Sequence, residues 1–151
     1  MLSKPFVEIS GSYSLLIAYY IVSDAAALLV ACGHPIAAPI GVMINYPSIY
    51  SALAASSILG YYCSSDVPVG LKRPYSNETF FDTWSYQLGE YASKVAYNWR
   101  HNALMPWGDV SSAWYPVELY RKLLSEADNH SVTIASIGFL DNVSTLPMPI
   151  A

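Results

Sequence analysis

The stretch YSLLIAYYIVSDAAALLVACGH, residues 13–34, decides the fold. It predicts a buried strand, a polar turn at Ser23 and Asp24, and an apolar helix. A strand that runs directly into a helix is the opening unit of an open α/β sheet, and ligands of such sheets bind at the carboxyl ends of the strands. Asp24 stands at that position, and it is the only acidic residue between Glu8 and Asp66. Chemistry at this first turn therefore has a single carboxylate to use.

The same alternation of strands and helices continues along the chain. Because strand, helix, strand, helix, strand in this order favours a parallel arrangement, we predict an α/β fold with an open, mostly parallel sheet and helices on both faces. We expect an N-terminal arm at residues 1–12 and a single domain at 13–151. The predicted strands are Leu15–Val22, Ile36–Ile44, Asp66–Leu71 and Ser131–Ile137, and the predicted helices are Ala25–Cys32, Ile49–Tyr62, a segment from Asp82 to Trp99, and one opened by Tyr115 and Pro116.

Composition narrows the classes of partner. Apolar residues make up 54% of the chain and charged residues 12%, against a usual charged share of roughly 25%. The chain should therefore bury surface, some of it against a missing segment or a partner, for which a homo-oligomer is one option. A formal charge of −4 without a basic run argues against nucleic-acid binding. The apolar run at residues 15–22 is far shorter than the roughly 20 residues of a membrane span, so no membrane is expected.

Cysteine usage predicts the compartment. Cys32 and Cys63 are too few for a disulfide framework, so we expect two buried thiols in a reducing, cytoplasmic environment, in a chain that shows no signal peptide. Glycosylation sequons occur at Asn77, Asn129 and Asn142, and without a signal peptide they are expected to be chance matches.

Four segments carry a resemblance to a known family. DVPVG at 66–70, VELYRKLL at 117–124 and SVTIASIGFLDN at 131–142, together with the helix opening SDAAAL at 23–28, resemble the inosine/uridine-preferring nucleoside hydrolases, and look closest to fungal members. The match covers about residues 14 to 146 in the right order. The resemblance implies a nucleoside-hydrolase-like, Rossmann-like three-layer fold that is truncated here, since the family's later strands and their ligands have no counterpart.

The resemblance also implies a chemistry. Members of this family hydrolyse the N-glycosidic bond of ribonucleosides with a water activated by calcium and an aspartate, through a transition state like that of glycoside hydrolysis. Asp24 and the carbonyl of Ser136 match calcium ligands, whereas Ser23 and Asn45 match positions that contact the ribonucleoside. The family's two upstream aspartates fall on apolar or aromatic residues, and its C-terminal aspartate ligand has no counterpart. The resemblance thus implies a calcium cofactor whose ligand set is degraded in this chain.

Each candidate has a plainer interpretation. Asp24 could cap a helix, Asn45 could form a turn, and Ser136 could simply end a strand. His101 could protonate a leaving base from the long loop at 98–114, although a lone exposed histidine usually has no role. Two further sets complete the candidates: the possible base-stacking residues Trp84, Trp99, Trp107 and Trp114, of which core packing is expected for Trp84 and Trp99, and the acids Glu78 and Asp82, which are expected to be solvated or capping.

Three functional hypotheses remain. The chain is a working nucleoside N-ribohydrolase whose metal site is completed elsewhere, or an inactive or impaired relative of that family, or a non-catalytic α/β module that binds a ligand or a protein. No Gly-x-Gly-x-x-Gly follows the first strand and no phosphate-cradling loop occurs, which argues against dinucleotides and ATP. The lack of acidic residues at the first strand end favours the second hypothesis.

Overall fold

A computed structural model describes residues 13–18, 22–63, 66–77, 91–137 and 144; for residues 13–18, 22 and 23 it describes the backbone only. The predicted N-terminal arm, Trp84, Glu78 and Asp82 lie outside these ranges. The elements in chain order are β1 (Tyr13–Ala18), α1 (Val22–Gly33), β2 (Ala38–Ile44), α2 (Ile49–Tyr62), β3 (Val69–Leu71), α3 (Tyr91–Asn98), a 3₁₀ turn (Arg100–Asn102), α4 (Pro116–Glu126) and β4 (Val132–Ser136).

The four strands form one parallel sheet in the order β3-β2-β1-β4. Ile44 of β2 lies beside both Ala18 of β1 and Leu71 of β3, while Ile17 of β1 lies beside Ser136 of β4. The chain therefore builds the sheet outward from β1 to β3 and then returns to the other side of β1. In open α/β sheets such a reversal marks the place where ligands bind. The α/β class and the parallel sheet agree with the sequence prediction.

One face of the sheet, the α2 face, is covered by α1 and α2, and α3 packs against α2. Ser48 caps α2 by accepting a hydrogen bond from the Tyr50 amide on its side-chain oxygen, which is the favoured way to satisfy a free N–H at a helix start. Ala and Ser are frequent along α2, and every residue from Ser51 to Leu59 is buried. Small side chains let α2 approach both the sheet and its neighbouring helices closely. Most of the hydrophobic core lies on this face, and it includes Val42, Ile44, Leu53, Leu59 and Leu71.

The opposite face, the α4 face, is covered by α4. Met43 points to this side because successive residues of a strand alternate between faces, and it forms a separate small core with Leu119 and Tyr120. Pro116 stands at the start of α4, where its missing N–H costs no helical hydrogen bond. Burial of a leucine as complete as that of Leu119 stabilises the fold by about 1.5 to 3 kcal/mol. Among the elements that the structure describes, α4 alone covers this side of the sheet.

A disulfide joins Cys32 and Cys63, so the prediction of two free thiols is wrong. Cys32 lies in the last turn of α1 and Cys63 caps the C-terminus of α2. Their Cα atoms are 4.9 Å apart across a sequence separation of 31 residues. The neighbouring helices α1 and α2 both run antiparallel to the strands, so their C-terminal ends lie close together. The spacing of the two cysteines in the sequence does not reveal this proximity.

Some predicted boundaries differ from the observed ones. Helix α1 begins at Val22, three residues earlier than predicted, because Val22 and the polar pair Ser23 and Asp24 adopt helical geometry. Strand β3 covers only Val69–Leu71. Across this strand, the Trp114 amide donates to the Val69 carbonyl oxygen and the Leu71 amide donates to the Trp114 carbonyl oxygen. Part of the predicted long loop therefore pairs with the edge of the sheet.

Candidate functional site

The carboxyl ends of the four parallel strands form one edge of the sheet, called the carboxyl edge below. Asn45 follows β2, Lys72 follows β3, Ser136 ends β4, and Asp24 lies in the first turn of the helix that follows β1. The register of the strands places these positions in one row, since Ile44, Ala18 and Leu71 are neighbours. Asp24, Asn45 and Ser136, which the family resemblance singled out, therefore occupy one edge.

Asp24 is the third residue of α1 and only 4% exposed. It is thus inside the helix rather than at the capping position that the plainer interpretation expected, because the helix starts earlier. A carboxylate in the first turn still complements the positive end of the helix dipole, typically by 0.3 to about 1 kcal/mol. Asp24 also interacts with another group of the protein. Ser23 is the second residue of the same helix.

Asn45 is 3% exposed and begins a turn that is held from several sides. The Ser51 hydroxyl donates to the carbonyl oxygens of Tyr46, at 2.9 Å, and Ser48, at 2.6 Å. The Ile49 amide donates to the Ser76 carbonyl oxygen at 3.0 Å, which ties the turn to the loop after β3. Asn45 therefore stands on a rigid support. The alternatives of turn former and ribose contact both fit this position.

Lys72 is the residue that the sequence analysis missed at this edge. Its amide donates to the Ile44 carbonyl oxygen at 3.0 Å, so its backbone continues the pairing of β3 with β2 beyond the strand. Lys72 is half-buried and makes a further interaction within the protein. Its position directly after the third predicted strand was the available signal. Lys72 brings a positive charge to an edge where the family resemblance implies a calcium ion.

The oxygen donors that the described residues bring to the carboxyl edge are fewer than calcium usually takes. Calcium takes six to eight oxygen ligands and is usually held by several carboxylates. Here the described residues supply one carboxylate, from Asp24, with the amide of Asn45 and the exposed Ser136 at the end of β4. Within the described ranges no three His, Cys, Asp or Glu residues lie close enough to hold a metal ion.

His101 lies far from the carboxyl edge. It belongs to the 3₁₀ turn Arg100–Asn102. The last residue of this turn, Asn102, lies against the backbone of Gly60, near the C-terminus of α2. Asn45 lies next to the N-terminus of the same helix, and 14 residues of α-helix span about 21 Å. The structure therefore does not bring His101 together with Asp24 or Asn45. Its ring lies 6.1 Å from that of Trp99.

The described tryptophans are surface residues rather than core. Trp99 is 50% exposed, so the expected core packing is wrong for it: α3 ends at Asn98 and Trp99 stands outside the helical stripe. Trp107 contacts Tyr97 edge-on with ring centroids 5.5 Å apart. Trp114 pairs with β3 through its backbone while its side chain is exposed. The ring of Trp107 also lies 6.1 Å from that of Tyr50, in the first turn of α2, which follows the turn at Asn45.

A cavity of about 150 Å³ lies at the other end of α2. It is lined mainly by aromatic and aliphatic side chains of α1, α2 and α3 and by Trp99, among them Leu29, Tyr61, Tyr62 and Tyr91. Burial raises the pKa of the Tyr91 hydroxyl, and the neighbouring Tyr62 raises it further. Tyr91 is therefore a neutral hydrogen-bonding group in an otherwise apolar space. We call this space the aromatic cavity.

The sequence signals for these two places differ. The residues of the carboxyl edge follow predicted strands, whereas the aromatic cavity is assembled from side chains that lie in three different helices and loops.

No helix of the described residues is long and apolar enough to cross a bilayer. Comparison of the chain with protein-family models, with curated proteins and with solved structures finds no match in any of the three.

Proposed function

We propose that this chain is a nucleoside-hydrolase-like, three-layer α/β domain that is inactive or impaired as a hydrolase. The support is the meeting of Asp24, Asn45 and Ser136 at one edge of a parallel sheet, beside the point where the strand order reverses. These are the positions that the family resemblance assigns to the ribonucleoside and its metal. The proposed domain has the architecture of that family but lacks its calcium-dependent chemistry.

The observation that carries the proposal is that Asp24 is the one buried carboxylate that the described part of the chain brings to the carboxyl edge. Hydrolysis in the family requires carboxylates both to hold calcium and to accept a proton from water. Loss of a general base alone typically lowers a rate by a factor of about 10² to 10⁴. The loss of most metal ligands adds to this, so turnover should fall to background.

The first experiment is a hydrolysis assay of the whole chain with inosine, uridine and a chromogenic riboside, in calcium and in EDTA. We expect no release of base above the protein-free control in either buffer. Turnover that EDTA abolishes would contradict the proposal. Asp24→Asn, which removes the charge and keeps the shape, is the matched variant: any residual turnover that survives this change does not come from the carboxyl edge.

A calorimetric titration tests the metal site directly. Because one carboxylate cannot enclose calcium, we expect no calcium site tighter than millimolar. Micromolar binding that disappears in Asp24→Ala would show that other ligands complete the site, and the hydrolase would then be a working one. Thermal denaturation of the variant, followed by circular dichroism, checks that it is folded in the titration.

The second candidate function is a non-catalytic module that binds a ligand or a protein, and the aromatic cavity favours it. Its volume, about 150 Å³, is below the roughly 300 to 1,000 Å³ of typical small-molecule pockets, so it suits one ring or one side chain rather than a whole nucleoside. Benzene, a single ring that does not emit in the range of tryptophan, should then quench or shift the fluorescence of Trp99 in a saturable way. Trp107→Phe is the matched control, because Trp107 does not line the cavity. A response that is lost in Trp107→Phe and kept in Trp99→Phe would exclude this site.

A further inference from the structure

The disulfide between Cys32 and Cys63 indicates where the chain folds. Both cysteines are half-buried, and their Cα separation of 4.9 Å is within the ordinary range for disulfides. In the described residues no cysteine is left as a free thiol. Disulfides of this structural kind persist in oxidising compartments and are rare in the cytosol. In such a compartment the sequons of the chain become chemically meaningful.

One sequon, Asn129-His130-Ser131, is described completely and lies in the turn that joins α4 to β4. Asn129 and His130 are exposed and Ser131 is half-buried. His130 has a φ of 62°, so the chain makes a tight turn there, and the Ser131 amide donates to the Asp128 carbonyl oxygen at 3.1 Å. An exposed turn can carry a large hydrophilic substituent without displacing any packed side chain. The turn precedes β4, so it lies at the amino edge of the sheet, opposite to the candidate site.

We propose that Asn129 is an N-glycosylation site and that the chain matures in an oxidising secretory compartment. Two independent features support this: a disulfide that needs an oxidising environment, and an acceptor asparagine placed on an exposed turn. Asn77 is less suited, since it follows Ser76, whose backbone holds the turn next to Asn45. A glycan at Asn129 leaves that edge open.

Disulfide formation and glycosylation each need a second reactant. In the first, the thiols of Cys32 and Cys63 lose two protons and two electrons to the disulfide of a thiol oxidoreductase, which becomes a dithiol. In the second, the carboxamide nitrogen of Asn129 attacks the first sugar carbon of a lipid-linked oligosaccharide pyrophosphate. A carbon–nitrogen bond forms, the carbon–oxygen bond to the pyrophosphate breaks, and the pyrophosphate leaves with the electron pair while the amide proton passes to a base of the transferase.

The test is expression of the whole chain behind a cleavable secretion leader in a eukaryotic cell, followed by peptide mass spectrometry. Treatment with a peptide N-glycosidase in ¹⁸O-water should convert Asn129 to labelled aspartate, and the mobility shift that this enzyme reverses should lose one step in Asn129→Gln. Ser131→Thr keeps both the sequon and the hydroxyl group and should keep the glycan. An unmodified Asn129 in the secreted, folded wild-type chain would overturn the assignment.

A second measurement separates a folded glycoprotein from a misfolded acceptor. The secreted chain should react with no thiol reagent before reduction and with two equivalents after reduction in denaturant. It should also keep the same circular dichroism spectrum after the glycan is removed. Two thiols that react without reduction, or a glycan found only on chain that lacks the native spectrum, would contradict the proposal.

Discussion

The two faces of the sheet are built in different ways. On the α2 face, three helices pack through small residues, and the disulfide joins α1 to α2. On the α4 face, one helix packs large side chains, Leu119 and Tyr120, against Met43. The first face depends on close approach of backbones, and the second depends on a few large contacts. The difference teaches that equal burial of a side chain does not mean equal sensitivity to its removal.

The largest expected effect comes from a matched pair of leucines. Leu59 on the α2 face and Leu119 on the α4 face are both 0% exposed. Leu59→Ala should lower the free energy of unfolding by about 3 to 5 kcal/mol, and Leu119→Ala by about 2 to 3 kcal/mol, because a single helix can settle into the smaller cavity. Urea denaturation measures both. An equal or larger loss in Leu119→Ala would contradict the difference between the faces.

Removal of the disulfide comes next. For a loop of 31 residues, chain entropy predicts a loss of about 3 to 4 kcal/mol in Cys32→Ser/Cys63→Ser. The free energy of unfolding of wild type, measured by urea denaturation, should fall by a similar amount on reduction, whereas that of the double variant should not respond to reductant. A wild-type protein whose stability is unchanged by reductant would show that the clamp on the α2 face has no energetic role.

Two glycines at helix ends provide the third contrast. A Cβ at Gly60 would overlap the backbone carbonyl oxygen of Asn102, whereas a Cβ at Gly33 meets nothing within 4 Å. Gly60→Ala should therefore cost about 1 to 3 kcal/mol, and Gly33→Ala should be neutral or stabilise by up to about 1 kcal/mol. Thermal unfolding followed by circular dichroism distinguishes them. If both variants melt at the wild-type temperature, the close approach at Gly60 is not real.

The smallest effect is on the α4 face. Among the described residues the buried Tyr120 hydroxyl has no hydrogen-bond partner, and burial raises its pKa above the ordinary value. The unfolded chain therefore loses this proton near pH 10, while the folded chain keeps it. The free energy of unfolding is thus unaffected by this group below that pH, and it falls as the pH rises further. Tyr120→Phe should raise stability by at most about 1 kcal/mol at pH 7. Its advantage should grow above pH 10 in urea titrations; an advantage that shrinks there would contradict the burial of this hydroxyl.

The sequence predicts the boundaries of an element correctly where residues next to it mark its beginning and its end. Helix α2 was predicted at Ile49–Tyr62 and is observed there. Pro47 and Ser48 mark its beginning, and Ser48 does cap it. The strand ends that place Asn45 and Ser136 at one edge were also readable within one or two residues, because each is bounded by turn residues. These features depend on neighbours in sequence.

Features that depend on distant contacts were not predictable in this way. The Cys32–Cys63 pairing requires two helix ends to meet, and the exposure of Trp99 depends on where α3 stops. Helix α1 begins earlier than its apolar pattern indicates, since Val22 suits a strand and a helix equally. The predicted third strand ends at Leu71, because nothing local shows that the Lys72 amide continues the pairing with β2.

The two hydrogen bonds between Trp114 and β3 have a consequence for self-association. An uncovered edge strand is a template for other chains, and proteins commonly protect such edges. Here the Trp114 segment occupies part of the outer side of β3, so an incoming strand would have to displace it. Addition of a strand beside β3 is therefore disfavoured, and β4, which carries the exposed Ile134, is the other outer strand of the sheet that the structure describes.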